Sequence, residues 1–416
     1  MRPRLALLIA LALVAGCSSR QRTNPFDPRN PQTSGRPIGF AAIAGDQRVA
    51  LQWQAVTAPD LRGYVVFRQA PGEADFHQIS SLLSASTSTY VDYGLTNGAT
   101  FAYRLYYQFS TGLGGRPADD AATPGPVRTW VVDAGTGSLH RIAPDARRVA
   151  FTRGGFDEPT AVAVDSTNGV VWIADAFAGR VTVLDPFSGV TTMIPGLGTP
   201  AATAIDTVGH TAWVCDEGQD LVYHFAQDGG EPTIPISAVR LPIGVAIDAA
   251  DRSVIICDRD NNLVRRHDPG GNTIWTRAVT SPSRCAVDAA TGDIWVTSFE
   301  GKQVTKLTRG GAPVGTFAGF AGPIGLVVDE IRGRVWVADA LGDQLVALHR
   351  DGSVEFRVPG MNGARDVSID RPTGEAWAAL TASGEVARVS AAGVVLRILG
   401  GFNEPSGIVV DPGTRY

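Results

Sequence analysis

Seven near-copies of a short segment run through this 416-residue chain: PTAVAVD (159–165), PAATAID (200–206), PIGVAID (242–248), PSRCAVD (282–288), PIGLVVD (323–329), ARDVSID (364–370) and PSGIVVD (405–411). The places where this register breaks are the places where chemistry could sit. Four residues before each closing Asp stand Ala161, Ala202, Gly244, Arg284, Gly325, Asp366 and Gly407. Gly or Ala holds this position in every copy except two, which carry charges of opposite sign. Arg365 precedes Asp366, and Glu158 and Glu404 precede the first residues of adjacent copies. Brought to one rim, Arg284, Arg365, Asp366, Glu158 and Glu404 would form a charged ligand- or partner-binding mouth around small residues. A second reading stays open. The copies containing Arg284 and Asp366 are followed by Ser298 and Leu380 where other copies have Asp, so a longer side chain could fill the space that a lost acid leaves. Hairpin geometry centred midway sets 284 opposite 298 and 366 opposite 380.

Other columns invite chemistry and have plainer explanations. Trp130, Trp172, Trp213, Trp295, Trp336 and Trp377 share one position, with Ile255 in the remaining copy. A carbohydrate-stacking ring is conceivable; packing between neighbouring units is the expectation, because indoles bury large apolar area. Three residues later come Asp133, Asp175, Asp216, Asp258, Ser298, Asp339 and Leu380. Each stands at a strand end before a turn, where Asp accepts backbone N–H bonds, so a metal site is not expected. Cys215, Cys257 and Cys285 read as small buried thiols. His140, His224, His267 and His349 lie 7, 8, 9 and 10 residues after the Asp, Ser or Leu position, so they do not share one face. No converging acid–base pair is evident, and no cofactor is expected.

These columns need a scaffold. The closing aspartates, Asp165, Asp206, Asp248, Asp288, Asp329, Asp370 and Asp411, are spaced 41, 42, 40, 41, 41 and 41 residues apart. So even a period means stacked supersecondary units. Within each unit a second alternating run follows, such as VVWIAD (170–175), then a third and fourth, such as RVTVLD (180–185) and VTTMIPG (190–196). Four antiparallel strands per unit make one β-propeller blade. The ends complement each other. Residues 129–153 supply second, third and fourth strands without a first, and 405–411 is a first strand without the rest. Pairing them closes a ring of seven blades over residues 128–416 and removes two raw sheet edges. The pattern resembles NHL repeats and low-density-lipoprotein-receptor-like propellers, an architecture that hosts scaffolds, binders, lyases and lactonases alike.

Upstream, residues 37–126 hold short alternating strands such as VALQW (49–53), GYVVFR (63–68) and FAYRLYYQF (101–109), which suggests a β-sandwich. The stretch resembles a fibronectin type III domain, with Trp53 on the second strand and APDLRGYVVFR (58–68) as the third. Phe101 stands where that family has its corner Tyr. The resemblance implies a spacer. The fold class expected is therefore all-β: a fibronectin type III-like β-sandwich followed by a seven-bladed β-propeller.

Residues 1–16 carry Arg2, Arg4 and an apolar run from Leu5 to Gly16, too short to span a bilayer and suited to a signal peptide. Val14-Ala15-Gly16-Cys17 resembles the bacterial lipobox, which implies cleavage before Cys17 and acylation there. Acyl chains hold by burying methylenes in the bilayer. Ser18 follows the Cys, which by the same resemblance points to the outer membrane. Residues 17–36, rich in Pro and polar residues, read as an extended tether. Basic residues number 36 and acidic residues 41, a net charge of −5, and no basic block follows the N-terminus, so nucleic acid is not an expected partner. The expectation is a monomeric, lipid-anchored envelope protein whose propeller is a non-enzymatic protein- or ligand-binding platform. The alternative is a propeller enzyme, a lactonase-like hydrolase or a lyase resembling the streptogramin lyases, which use His and Glu near the mouth.

Overall fold

The computed structural model describes residues 23–126, 128–227, 229–233 and 235–412. The signal segment and Cys17 lie outside the described residues. The chain divides into two compact units, one of residues up to 42 with 51–90 and 101–121, the other of 43–50, 91–100 and 122 onward.

In the first unit, Leu61–Gln69 pairs antiparallel with Phe101–Phe109 along its length. Alternation along Phe101–Phe109 puts Phe101, Tyr103, Leu105 and Tyr107 inside, the period-two pattern of a half-buried strand. Trp53 is buried, with its ring centroid 5.3 Å from that of Tyr64. The segment expected to be an extended tether is turned from Asn24 onward. The Asn30 side-chain amide donates to Asn24 O at 2.9 Å, Thr33 Oγ1 donates to Pro25 O at 2.7 Å, and the Phe26 ring meets Tyr107 at 4.8 Å. The missed signal was Phe26, the one large apolar side chain in a polar stretch.

The second unit is built of antiparallel sheets at the predicted spacing. Pro159–Val164, Val171–Asp175, Arg180–Leu184 and Thr191–Pro195 form one sheet in chain order, and the strands of 242–278, 282–318, 323–359 and 364–400 repeat it. The sheet of Pro200–Asp206, Thr211–Asp216 and Leu221–Phe225 has three strands among the described residues, and its outer position holds a single bridge between Val222 and Ile236. The remaining sheet is composite. Thr129–Asp133 pairs on one side with Ser138–Ile142 and on the other with Pro405–Val410, setting Trp130 opposite Val409 and Val131 opposite Ile408.

Each first strand contacts the first strand of the next sheet, and the succession returns from Pro405–Val410 to Pro159–Val164. First strands therefore surround the centre of a β-propeller, and second strands pack sheet against sheet. Trp130 is buried with Val171 and Ile173 of the next sheet, Trp172 with Ala212 and Val214, and Trp213 with Val254 and Ile256. Trp295, Trp336 and Trp377 repeat the arrangement, and Ile255 takes the indole's place against Ile294 and Val296. The tryptophan column is core.

Candidate binding site

The first strands begin at one end of the ring, and their starts wall a cup of about 260 Å3. Thr160, Ala201, Ile243, Ser283, Ile324 and Arg365 line it, each five residues before a closing Asp, with Arg284 beside them. Glu217, Arg259 and Phe299 complete the wall from the opposite direction, each being the first residue after a second strand.

The charged groups are unequally engaged. Arg284 donates from Nη2 to Ala201 O at 3.2 Å, on the sheet two positions back, while its backbone N–H donates to Thr297 Oγ1 at 3.1 Å. Arg259 donates from Nη2 to Glu300 Oε1 at 2.8 Å, at the exposed edge. The side chains of Arg365 and Glu217 show no hydrogen bond or ion pair among the described residues, though the Glu217 amide donates to Thr199 O at 3.0 Å. Burial pulls the Arg365 pKa down and the neighbouring Arg284 adds to this, against the pull of Asp366, Glu158 and Glu217. Burial likewise pushes the Glu217 carboxyl up, opposed by Arg284, Arg259 and Arg365. These groups feel one another without closing an ion pair, which leaves room between them.

Of the residues expected at the mouth, Arg284 and Arg365 line the cup; Asp366, Glu158 and Glu404 do not. Asp366 turns its carboxylate to the backbone: Oδ2 accepts Ile408 N–H at 2.9 Å and Oδ1 accepts Val367 N–H at 3.0 Å. Burial pushes its pKa up, and those amides and the two arginines oppose this. Glu158 and Glu404 are exposed, and their amides are held by Asp175 and Asp133. Glu158 still acts on Arg365 through its field. A bulge also shifts the expected pairing. Asp366 faces Ala379 and Ala364 faces Leu380; Pro282 faces Ser298. Asp366 therefore fastens a neighbouring strand. Asp366→Ala leaves a buried amide without an acceptor, which costs about 1–3 kcal/mol. Urea denaturation should show that loss, with Asp366→Asn retaining part of the stability. An unchanged midpoint for the alanine variant would remove Asp366 from the fold's framework.

Glu217, Arg259 and Phe299 were missed. Their signal was present in the position following each second strand: Ala134, Ala176, Glu217, Arg259, Phe299, Ala340 and Thr381. Small residues hold it elsewhere, and the three departures are consecutive.

The second-strand aspartates bind backbone. Asp175 Oδ1 accepts the amides of Asp157 and Glu158, each at 3.0 Å; Asp216 holds Gly198 and Thr199, and Asp339 holds Ala321 and Gly322. Where Ser298 replaces the acid, its hydroxyl donates to Thr280 O and accepts Gly301 N–H. Where Leu380 replaces it, Asp343 accepts the amide of Gly363 at 2.8 Å.

The histidines lie elsewhere than the cup. His140 bonds Thr152, His210 bonds Asp165, His267 bonds Gly271, and His224 stacks on Trp213. Cys215, Cys257 and Cys285 are free and buried, and burial raises the Cys215 and Cys257 thiols well above their ordinary value. The cup therefore offers cationic hydrogen-bond donors, one desolvated carboxyl and apolar walls.

The chain matches no protein-family model and no curated protein. It is similar in structure to virginiamycin B lyase from Staphylococcus aureus, with a TM-score of 0.52 and 14% identity over 58% of this chain and 84% of that one. A functionally unknown protein from Desulfotomaculum acetoxidans gives a TM-score of 0.60 at 14% identity, over 69% and 99% of the two chains. Hydrazine synthase of Kuenenia stuttgartiensis gives 0.55 at 15%, over 69% and 92%. At such identities the likeness is one of fold: a β-propeller.

Proposed function

We propose that this is a lipid-anchored protein of the cell envelope, held through Cys17, whose propeller captures a small ligand at its mouth without transforming it. The seven sheets are read as seven blades, the composite one closing the ring. The first unit is read as a fibronectin type III-like spacer. One observation carries the binding role: the Arg365 and Glu217 side chains stand without a hydrogen-bond or ion-pair partner in a cup whose remaining wall is small or apolar apart from Arg259 and Arg284. Arg365 is exposed at the mouth and Glu217 is half-buried, so the fold leaves both charged groups open to a ligand, and a few such polar groups among apolar walls are how ligand sites are built.

The competing reading is catalysis at the same mouth, as the fold shared with a lyase allows. A general acid or base must come within hydrogen-bond reach of its substrate. Glu217, with its raised pKa, is the titratable group in this cup placed to serve, and no second one pairs with it.

The test is equilibrium dialysis of the full chain in detergent against a small-molecule extract of envelope-bearing cells, read by mass spectrometry. The wild type should enrich a compound unchanged in mass, and a variant carrying Arg284→Ala with Arg365→Ala should lose at least nine-tenths of that enrichment. Equal enrichment by both proteins, or none by either, overturns the reading. Enrichment of a product with depletion of its precursor favours the enzyme.

A further inference from the structure

We infer that the cup selects a small carboxylate with an apolar body, bound through the guanidinium groups of Arg365 and Arg284. The inference rests on the mouth being the binding site and names the class of ligand. Three cations, Arg259, Arg284 and Arg365, face one acid, Glu217, in the lining. Of the other acids near them, Asp366 has both carboxylate oxygens on backbone amides, Glu300 is taken by Arg259, and Glu158 is out in solvent. Arg259 is in turn held by Glu300, so the lining sets two guanidiniums without a carboxylate partner, Arg284 and Arg365, against the one carboxyl of Glu217.

The donors are also of the right kind. A guanidinium presents five N–H groups in a planar fork that matches a carboxylate. Arg365 has its whole fork unoccupied, and Arg284 has one nitrogen, Nη2, on Ala201 O. Neither meets Glu217 closely enough for an ion pair, so a ligand carboxylate can enter between without first breaking one. Ionic hydrogen bonds of this sort are about twice as strong as neutral ones. The rest of the wall favours a body that is not charged. Ile243, Ile324 and Phe299 are apolar, and Ala201, Thr160 and Ser283 are small. The cup's volume of about 260 Å3 admits a small molecule and no folded partner. A multiply charged phosphate would meet the Glu217 carboxyl and leave the apolar wall uncovered.

Titration calorimetry of the full chain in detergent tests this with three probes: N-acetyl-phenylalanine, its neutral amide, and inorganic phosphate. The acid should bind at least tenfold more tightly than the amide, and Arg365→Gln should bring the two within twofold. Amide and acid bound equally, both lost in the Arg284→Ala, Arg365→Ala variant, would overturn the carboxylate inference and leave the mouth as a binding site. Phosphate bound more tightly than the acid would overturn it as well. Failure of all three probes together with equal dialysis enrichment by wild type and variant would overturn both. A ligand-free measurement separates binding from architecture. The Arg365 side chain has no hydrogen bond or ion pair to lose, so Arg365→Gln should leave the thermal midpoint nearly unchanged. A fall of more than about 5 °C would make Arg365 structural and sink the inference.

Discussion

A chain ending at Glu404 should fail to form a folded propeller. The strand it lacks, Pro405–Val410, is hydrogen-bonded along Thr129–Asp133 and buries Ile408 and Val410 to 4% and 5% exposure. Burying each such side chain contributes about 1.5–3 kcal/mol. Removing the strand also uncovers Val131 and Trp377, which pack on it. Further bonds go with it: Ile408 N–H to Asp366, Val410 N–H to Ser368, and the Ser406 hydroxyl to Pro159 O. Together these approach the whole stability of a typical domain, about 5–15 kcal/mol. The bare edge of Thr129–Asp133 is then a template for pairing with other chains. Size-exclusion chromatography and near-ultraviolet circular dichroism should show aggregation and loss of fixed tertiary structure. A peptide of residues 402–412 added during refolding should restore part of the monomer by adding the strand in trans. Asp133→Ala is a milder form of the same cut. It unmakes the bonds that hold Asn403 and Glu404 amides at 3.0 and 2.8 Å, at about 1–3 kcal/mol. A truncated chain that unfolds at the wild-type midpoint would show that closure contributes nothing.

That strand shows what was legible before any coordinates. A first strand at the tail and three strands at the head fit one sheet, because a period of near-constant length leaves one way to fill the gap. The tryptophan column was readable for the same reason: a large side chain recurring in register packs the same way in each copy. The cup was legible only in part. Arg284 broke a column and Arg365 stands beside Asp366, another break, and both line the cup. Asp366 broke it too, yet its carboxylate is turned into the backbone, because a bulge after the first residue of the strand places it opposite Ala379 rather than Leu380. Periodicity gives the position of a residue and leaves its direction open. Glu217, Arg259 and Phe299 lie on a column that reaches the same cup from another strand, and one repeated segment read alone does not show which second column converges with it.

The closing aspartates carry a second large effect. At the end of the ring away from the cup, most take a basic side chain from the next sheet. His210 meets Asp165 at 2.8 Å, Arg252 meets Asp206 at 2.6 Å, and Arg350 meets Asp288 at 2.6 Å. Asp248 is the deepest case. It is 1% exposed and holds Arg266, itself 2% exposed, at 2.8 Å, with Arg309 at 2.9 Å on the same oxygen. Arg266 is satisfied on every side: Nε donates to Ser253 Oγ, Nη1 to Arg309 O, and Nη2 to Asp248 and Asp251. Asp248→Ala removes the buried anion and leaves that guanidinium facing the half-exposed Asp251 alone. Breaking one partner of a buried pair costs about 3–5 kcal/mol, which should lower the thermal midpoint by roughly 10 °C. Calorimetry of the full chain measures it. Replacing both partners, Asp248→Ala with Arg266→Met, should recover most of the loss, because a buried pair exchanged for apolar groups of similar size is often neutral. If the double variant falls as far as the single one, the cost lies in packing at Asp248 and in its second partner, Arg309 of the next sheet, and not in the pair with Arg266, which joins the first and third strands of one sheet. Neither change touches the cup, so carboxylate binding should persist in both variants while stability moves.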